Sequence, residues 1–230
     1  MIKEEKMNRD FVHLIGKFIE IEISGSNFRK GTLLDTGQDI LLIYDGEKNE
    51  FLYIPILHIQ RLKEIRNIDD YYDSEPPSEY PIESKSISFR KILISAKGLF
   101  VQIYVSGNKA IHGYLTSIMN DYFVFHSPIY KTMYISMNHV KWLIPYPPNS
   151  APYSLTNQNQ HLTPKFATLA RSFEEQLKKF EGQLIILDGG DHTEKIGLLK
   201  NVQNHKAILI TAEVDEVYWN LTHIKTVQFP

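Results

Sequence analysis

Three histidines fall at matching places in the chain. His58 lies in "YIPILHIQRL" (Tyr53–Leu62), His139 in "YISMNHVKWL" (Tyr134–Leu143) and His223 in "YWNLTHIKTV" (Tyr218–Val227). Each follows a tyrosine by five positions, precedes a β-branched residue, and has an apolar residue three places after that. The intervals between them are 81 and 84 residues. Three neutral imidazoles meeting on a pseudo-threefold axis could hold a catalytic zinc with one open position. Two features argue against that chemistry. Each histidine belongs to its own segment, and no Asp or Glu follows at a repeated offset to orient the ring from behind. A residue present in every copy of a repeated unit serves the fold of that unit. The expectation is therefore that each ring bonds a backbone group at the turn before a last strand. No catalytic, cofactor-binding or metal-binding residue is expected. His13, His112, His126, His161, His192 and His205 do not recur and are expected at exposed positions.

Other reactive groupings are weaker. "DGGDHTEKIG", residues 188–197, is glycine-rich, but a phosphate-binding loop needs Gly-Lys-Ser/Thr opening a helix, and a strand pattern follows here. A hairpin turn is expected. No G-x-S-x-G elbow is present, and no serine is set beside a histidine and carboxylate in a known order. Asp69 and Asp70 adjoin in a polar connector, where they are expected to be solvated. Cysteine is absent, which removes disulfides, thiolate ligands and a thiol nucleophile together.

The histidines mark a larger repeat. In each copy one glycine ends an alternating segment and a second follows: Gly25 and Gly31, Gly107 and Gly113, Gly190 and Gly197. The second precedes its histidine by 27, 26 and 26 residues. Landmarks in one order at near-constant spacing indicate three copies of a supersecondary unit of about 55 residues. "FIEIEIS" alternates strictly, with Ile19, Ile21 and Ile23 on one face and Glu20 and Glu22 on the other, the period of a half-buried strand. "GSNFRKG" is expected as the hairpin turn region, "KGTLLDTGQDILLIYDG" as two strands around "DTGQD", and "NEFLYIPI" and "HIQRLKEI" as two more. Five short strands per unit suit a small barrel.

A short helix is expected before each barrel. In "LTPKFATLARSFEEQLKKFEG", Thr163 suits the N-cap and Pro164 the first helical position. Phe166, Leu169, Ala170, Phe173 and Leu177 share one face, and Gly182 is a stop. "NRDFVHLIG" and "SFRKILISAKG" are the counterparts before the first two units. The expected fold is all-β: three tandem five-stranded Sm-like or SH3-like barrels, over residues 1–65, 89–146 and 164–230. An acidic, proline-containing connector spans residues 66–88, and a Pro/Asn/Gln connector spans 147–163. The tyrosines in and beside them (Tyr71, Tyr72, Tyr80, Tyr146 and Tyr153) are expected to dock onto a barrel.

The 230 residues carry a formal net charge of −2, with 43% apolar and 23% charged residues. That is ordinary for a chain that buries a core, and it gives no overall basic field toward nucleic acid or an anionic membrane. The start "MIKEEKMNRDFVHLIGK" has no secretory hydrophobic segment. No window approaches the roughly 20 apolar residues that span a bilayer. Synthesis in the cytoplasm without membrane insertion is expected.

The layout of helix, long strands and a short turn before the last strand is similar to that of Sm-like proteins, which bind RNA. Their Arg-Gly or Lys-His pair near the last turn is missing from "IPILHI", "ISMNHV" and "WNLTHI", and the net charge disfavours nucleic acid as a partner. A closer likeness follows from "GGDHTEKIGLLKNVQNHKAILI" with "VYWNLTHIKTV". These resemble the spore coat protein B family of Bacillus-type spore formers: a Gly-Gly turn, a lysine approaching Gly and Leu, then Tyr, an aromatic and a His-Ile-Lys ending. "YIPILHIQRL" with "EISGSNFRKGTLLDTGQDILLIYDG" resembles a related small domain from the same bacteria. The likeness covers roughly residues 12–65, 91–146 and 174–230. It implies a non-enzymatic structural component, made in the mother cell and deposited on the spore coat. Its partners would be other spore coat proteins, with a homo-oligomer open. Units one and two lack the Gly-Gly turn. That family can carry a tail rich in Ser, Lys and Arg where this sequence ends in "TVQFP", so no role of such a tail is expected. Two alternatives stay open: an Sm-like nucleic-acid-binding protein, and a barrel that captures a small ligand such as a nucleotide.

Overall fold

Strict alternation along "FIEIEI" builds the first strand, β1 (Phe18–Ile23). Ile19, Ile21 and Ile23 are fully buried in the first core, and Glu20 and Glu22 lie half-buried on the other face, as period two requires. This is a computed structural model, and it describes residues 9–66, 76–78, 80–82, 87–105, 110–147, 150, 152–154 and 168–230. The described chain is mostly β. The first repeat continues with β2 (Asn27–Thr36), β3 (Ile40–Asp45), β4 (Glu50–Pro55) and β5 (Ile59–Glu64). The second repeat supplies β6 (Phe100–Tyr104), β7 (Ala110–Ile118), β8 (Tyr122–Ser127), β9 (Lys131–Ser136) and β10 (Trp142–Pro145). The third supplies β11 (Leu184–Leu187), β12 (Ile196–Gln203), β13 (Lys206–Ile210), β14 (Glu216–Asn220) and β15 (Thr226–Gln228).

Contacts divide the chain into two compact units, residues 1–105 with 140–146, and residues 106–139 with 147–230. In the first unit the strand order is β6–β10–β4–β3–β2–β1–β5. In the second it is β14–β13–β12–β11–β15–β9–β8–β7. The middle repeat thus gives β6 and β10 to one unit and β7 to β9 to the other. All of these pairings are antiparallel. The first core gathers Leu33, Leu41, Ile43, Leu52 and Ile54 around the β1 isoleucines, with Trp142 and Ile144 from β10. The second gathers Tyr122, Tyr134, Leu177, Phe180, Leu199, Leu209 and Val227.

The glycines act differently from the turn expected over "GSNFRKG". The turn is confined to residues 24–26, and β2 begins at Asn27. Gly31 lies inside β2, opposite Ile19. Gly31, Gly113 and Gly197 are all buried. A Cβ at each would collide with a backbone carbonyl of the next strand, from Tyr44, His126 and Ile210 respectively. Two residues after each glycine the second strand of the repeat slips register, between Leu33 and Asp35, Leu115 and Ser117, and Leu199 and Asn201. A bulge at that point bends the strand. The missing side chain and the bulge are one device: the strand folds over its neighbour, and only glycine leaves the room. Gly107 lies outside the described residues.

Helices are short. "NRDFVHLIG" forms a 3-10 turn over Arg9–Leu14. α1 (Phe89–Ser95) is capped by Ser88, whose hydroxyl accepts the Lys91 N–H. α2 (Phe173–Lys178) starts later than expected. Residues 168–172 are not helical, and the cap is Ser172, accepting the Glu175 N–H at 3.3 Å. Ser172-Phe-Glu-Glu175 has the spacing of a capping box, and it is this signal that starts α2. Thr163, Pro164 and Phe166 lie outside the described residues. Gly182, at φ +80°, closes the segment.

Three connector tyrosines do meet aromatic rings. Tyr80 packs on Phe51 (5.8 Å between centroids), Tyr146 on Phe100 (5.2 Å) and Tyr153 on the ring of His112 (5.9 Å). Tyr71, Tyr72, Asp69 and Asp70 lie outside the described residues.

Candidate functional site

One repeated piece of geometry is a joint between strands of successive repeats. In the first unit β10 runs antiparallel to β4, with Leu143 opposite Tyr53. In the second, β15 runs antiparallel to β9, with Val227 opposite Tyr134 and with Thr226 and Gln228 opposite Ile135 and Met133. Leu143 and Val227 are each the fourth residue after their histidine. Tyr53 and Tyr134 are each the fifth before theirs. The two joints therefore share one register, and each sets the last strand of one repeat against the fourth strand of the repeat before it.

Packing secures both joints. The Trp142 indole stacks on Tyr104 at 4.0 Å and 7°, and the Arg29 guanidinium lies 4.2 Å from the indole centroid, a cation–π contact. Burial lowers the Arg29 pKa. The Lys141 ammonium donates to the Ser24 carbonyl at 2.7 Å. Tyr134 packs edge-on against Phe180 at 4.8 Å. The Tyr53 hydroxyl donates to the Ile82 carbonyl at 3.2 Å. Burial pushes the Tyr53 hydroxyl far above its ordinary pKa and also raises that of Tyr134, so neither is an acid at neutral pH.

Each joint also seats a helix. The Asp39 carboxylate accepts the Phe89 N–H at the start of α1, and the Asp121 carboxylate accepts the Phe173 N–H at the start of α2, both at 2.8 Å. An acid there meets unsatisfied amides and the positive end of the helix. The Tyr122 hydroxyl reaches the Ala170 carbonyl at 2.7 Å and the Gln176 side-chain oxygen at 3.0 Å.

The three histidines each end a 3-10 turn, Ile56–His58, Met137–His139 and Leu221–His223. The His139 ring behaves as expected, its Nε2 donating to the Thr222 carbonyl at 2.9 Å. Burial lowers the His139 pKa against the opposing effect of that bond. His58 differs. Its ring Nδ1 faces the Ser24 hydroxyl at 3.4 Å, and it is its main-chain carbonyl that accepts the Ser24 N–H, at 2.9 Å. His223 is exposed. Among the others, His13, His192 and His205 are exposed as expected. His112 and His126 are half-buried instead, and burial lowers their pKa values. His161 lies outside the described residues.

Residues 188–195 form two 3-10 turns between the paired strands β11 and β12. The turn holds an acid where a phosphate loop would present free amides. Asp188 accepts the N–H groups of Lys225 and Thr226 at 2.7 and 3.0 Å, and the Lys195 ammonium at 2.8 Å. Burial opposes the charge on Lys195, but its bonds to Asp188 and Asp191 outweigh that and raise its pKa. The sequence signal for this role was the acid ahead of two glycines. Among the described residues, no group of three or more His, Asp or Glu is placed to hold a metal ion, and no helix is long and apolar enough to cross a membrane.

Comparison with known proteins places the chain. It is 42% identical over 219 residues to "Uncharacterized protein YwrJ" of Bacillus subtilis (strain 168), covering 92% of this chain and 95% of that protein. The chain belongs to the YwrJ family. A family profile described as the YwrJ third domain also matches residues 172–227. That span runs from the α2 cap to Val227 at the second joint, so the YwrJ third domain corresponds to the third repeat.

Proposed function

We propose that this YwrJ-family chain is a non-enzymatic structural component of the bacterial spore coat. In this reading it is built from three Sm-like or SH3-like small barrels and assembles with other coat proteins through protein–protein contacts. The observation that carries the reading is the joint made twice in one register, Leu143 on Tyr53 and Val227 on Tyr134. A fold that joins its own modules by main-chain edge pairing has a means of assembly that depends little on side-chain chemistry. The barrel reading is supported by the order fifth–first–second–third–fourth strand in the first and third repeats and by the bulge that bends each second strand. The coat reading draws on the resemblance of the third repeat to the coat protein B family and on a relative from a Bacillus species.

The test is to follow the tagged protein through sporulation by fluorescence microscopy and by fractionation of purified spores. Appearance late in sporulation and recovery in coat extracts is the expected result. A protein diffuse in vegetative cells would overturn the reading.

A further inference from the structure

The joint is made twice, but the chain has the parts for it three times. Among the described strands, β5 pairs only with β1, and β14 only with β13. These are the last strand of the first repeat and the fourth strand of the third. They are the counterparts of the strands that meet in the two joints, and among the described strands neither has a second neighbour.

Burial tells the same story. Tyr53 and Tyr134 are 0% and 7% exposed, whereas their counterpart Tyr218 is 58% exposed. Leu52 and Ile54, and Met133 and Ile135, are buried, whereas Val217 and Trp219 are only half-buried. On the other side, Leu143 and Val227 are fully buried, and their counterpart Leu62 is half-buried. We propose that β5 of one chain pairs with β14 of a second copy, repeating the internal joint between molecules.

The register follows without adjustment. Carrying the two joints forward sets Leu62 opposite Tyr218, Arg61 opposite Trp219 and Lys63 opposite Val217. The main chain is oriented for it. The Ile65 N–H donates to the Phe18 carbonyl, and the Leu221 N–H to the His205 carbonyl. Antiparallel alternation then turns the peptide groups of Leu62 and Tyr218 away from β1 and β13, toward the open edges. The β5 edge carries Arg61 and Lys63, which already pair with Glu20 and Glu22 of β1, and such charges on an open edge discourage indiscriminate pairing. In this register Glu64 falls opposite Glu216, so the selection comes from the repeated strand geometry and not from charge. The helix seat does not recur. His205 stands where Asp39 and Asp121 stand in the other repeats and is bonded to Glu174, so the strand edges alone make the contact. Such a contact is heterologous, and it builds a ring if the rotation closes and a filament if it does not.

This deepens the assembly reading by naming a partner, and it can fail separately. The full chain is examined by sedimentation velocity over a wide range of concentration. Concentration-dependent growth, weakened about tenfold or more in Tyr218→Lys, is expected. Because the chain has no cysteine, Lys63→Cys and Val217→Cys variants give a second measurement that does not rely on Tyr218→Lys. The pair is non-hydrogen-bonded, with the Cα separation a disulfide tolerates. With diamide as oxidant, a disulfide-linked dimer should form only when the two single variants are mixed. A monomer at every concentration, or crosslinking within either variant alone, would overturn the pairing. A monomer found in the spore coat would leave the coat reading standing. An assembling protein found diffuse in vegetative cells would do the reverse.

Discussion

The carboxylate of Asp39 accepts the backbone N–H of Phe89 at 2.8 Å. Asp121 does the same for Phe173, so each acid ties the first residue of a helix to a strand turn of the preceding repeat. Removing such an acceptor leaves a helix amide unpaired and takes away a favourable charge. Asp39→Ala and Asp121→Ala should each lower stability by about 1–2 kcal/mol, and Asp→Asn by less, since the amide oxygen still accepts. Urea denaturation monitored by tryptophan fluorescence measures both. No loss in either alanine variant would show that the contact is incidental.

The crossing at Gly31, Gly113 and Gly197 predicts intolerance to one added methyl group. The obstacle at each is a main-chain carbonyl, which cannot rotate aside as a side chain would. Gly113→Ala should destabilise by about 3 kcal/mol, at the upper end of the overpacking range, and Gly31→Ala and Gly197→Ala by comparable amounts. A melting temperature within error of the parent for any of the three would contradict the crossing.

Burial sets the direction of pH dependence. His112, His126 and His139 have folded pKa values below the ordinary 6.5, chiefly through burial. The unfolded chain therefore takes up these protons at higher pH than the folded one. Stability should be fully present above pH 6.5 and fall as the pH drops below that value toward the folded pKa values. Glu20, whose pKa is lowered first by its bond to Lys63, adds a loss only below its ordinary 4.5. Melting curves from pH 7.5 to 5.5 should show the histidine slope, and His139→Gln should flatten it. A slope of opposite sign would rule the explanation out.

The strands were legible because alternation and turn residues report which face of a strand is wet. "FIEIEI" became β1 with its isoleucines inside, and β3, β4 and β5 lie where the pattern put them, whereas β2 begins at Asn27, inside the stretch expected as a turn. The role of Gly31 was less legible, since a glycine in a turn and a glycine under a crossing strand look alike in one dimension. The helix before the third repeat was misjudged because Thr163–Pro164 outweighed the capping box at Ser172. Partner choice was not legible at all. Period two fixes the face of β10 but says nothing about which edge it meets, so the pairing of Leu143 with Tyr53 could not be read. The histidines were legible as repeat markers. Their differing bonds were not, because each ring meets a group distant in sequence, the Thr222 carbonyl at His139 and the Ser24 hydroxyl at His58.

Residues 106–139 belong to the second unit, yet lie between two stretches of the first. On the ribosome this imposes an order. β1 to β6 emerge first, but the nascent chain cannot complete its first core until Trp142 and Ile144 have left the exit tunnel. At about 5–20 residues per second, that is an interval of a few seconds. During it β4 has no β10 to pair with, while β7 to β9 wait for β11 to β15. The same strand edges that join the finished protein are thus exposed while it is being made, and crowded polysomes are where mispairing between neighbouring chains would first be found.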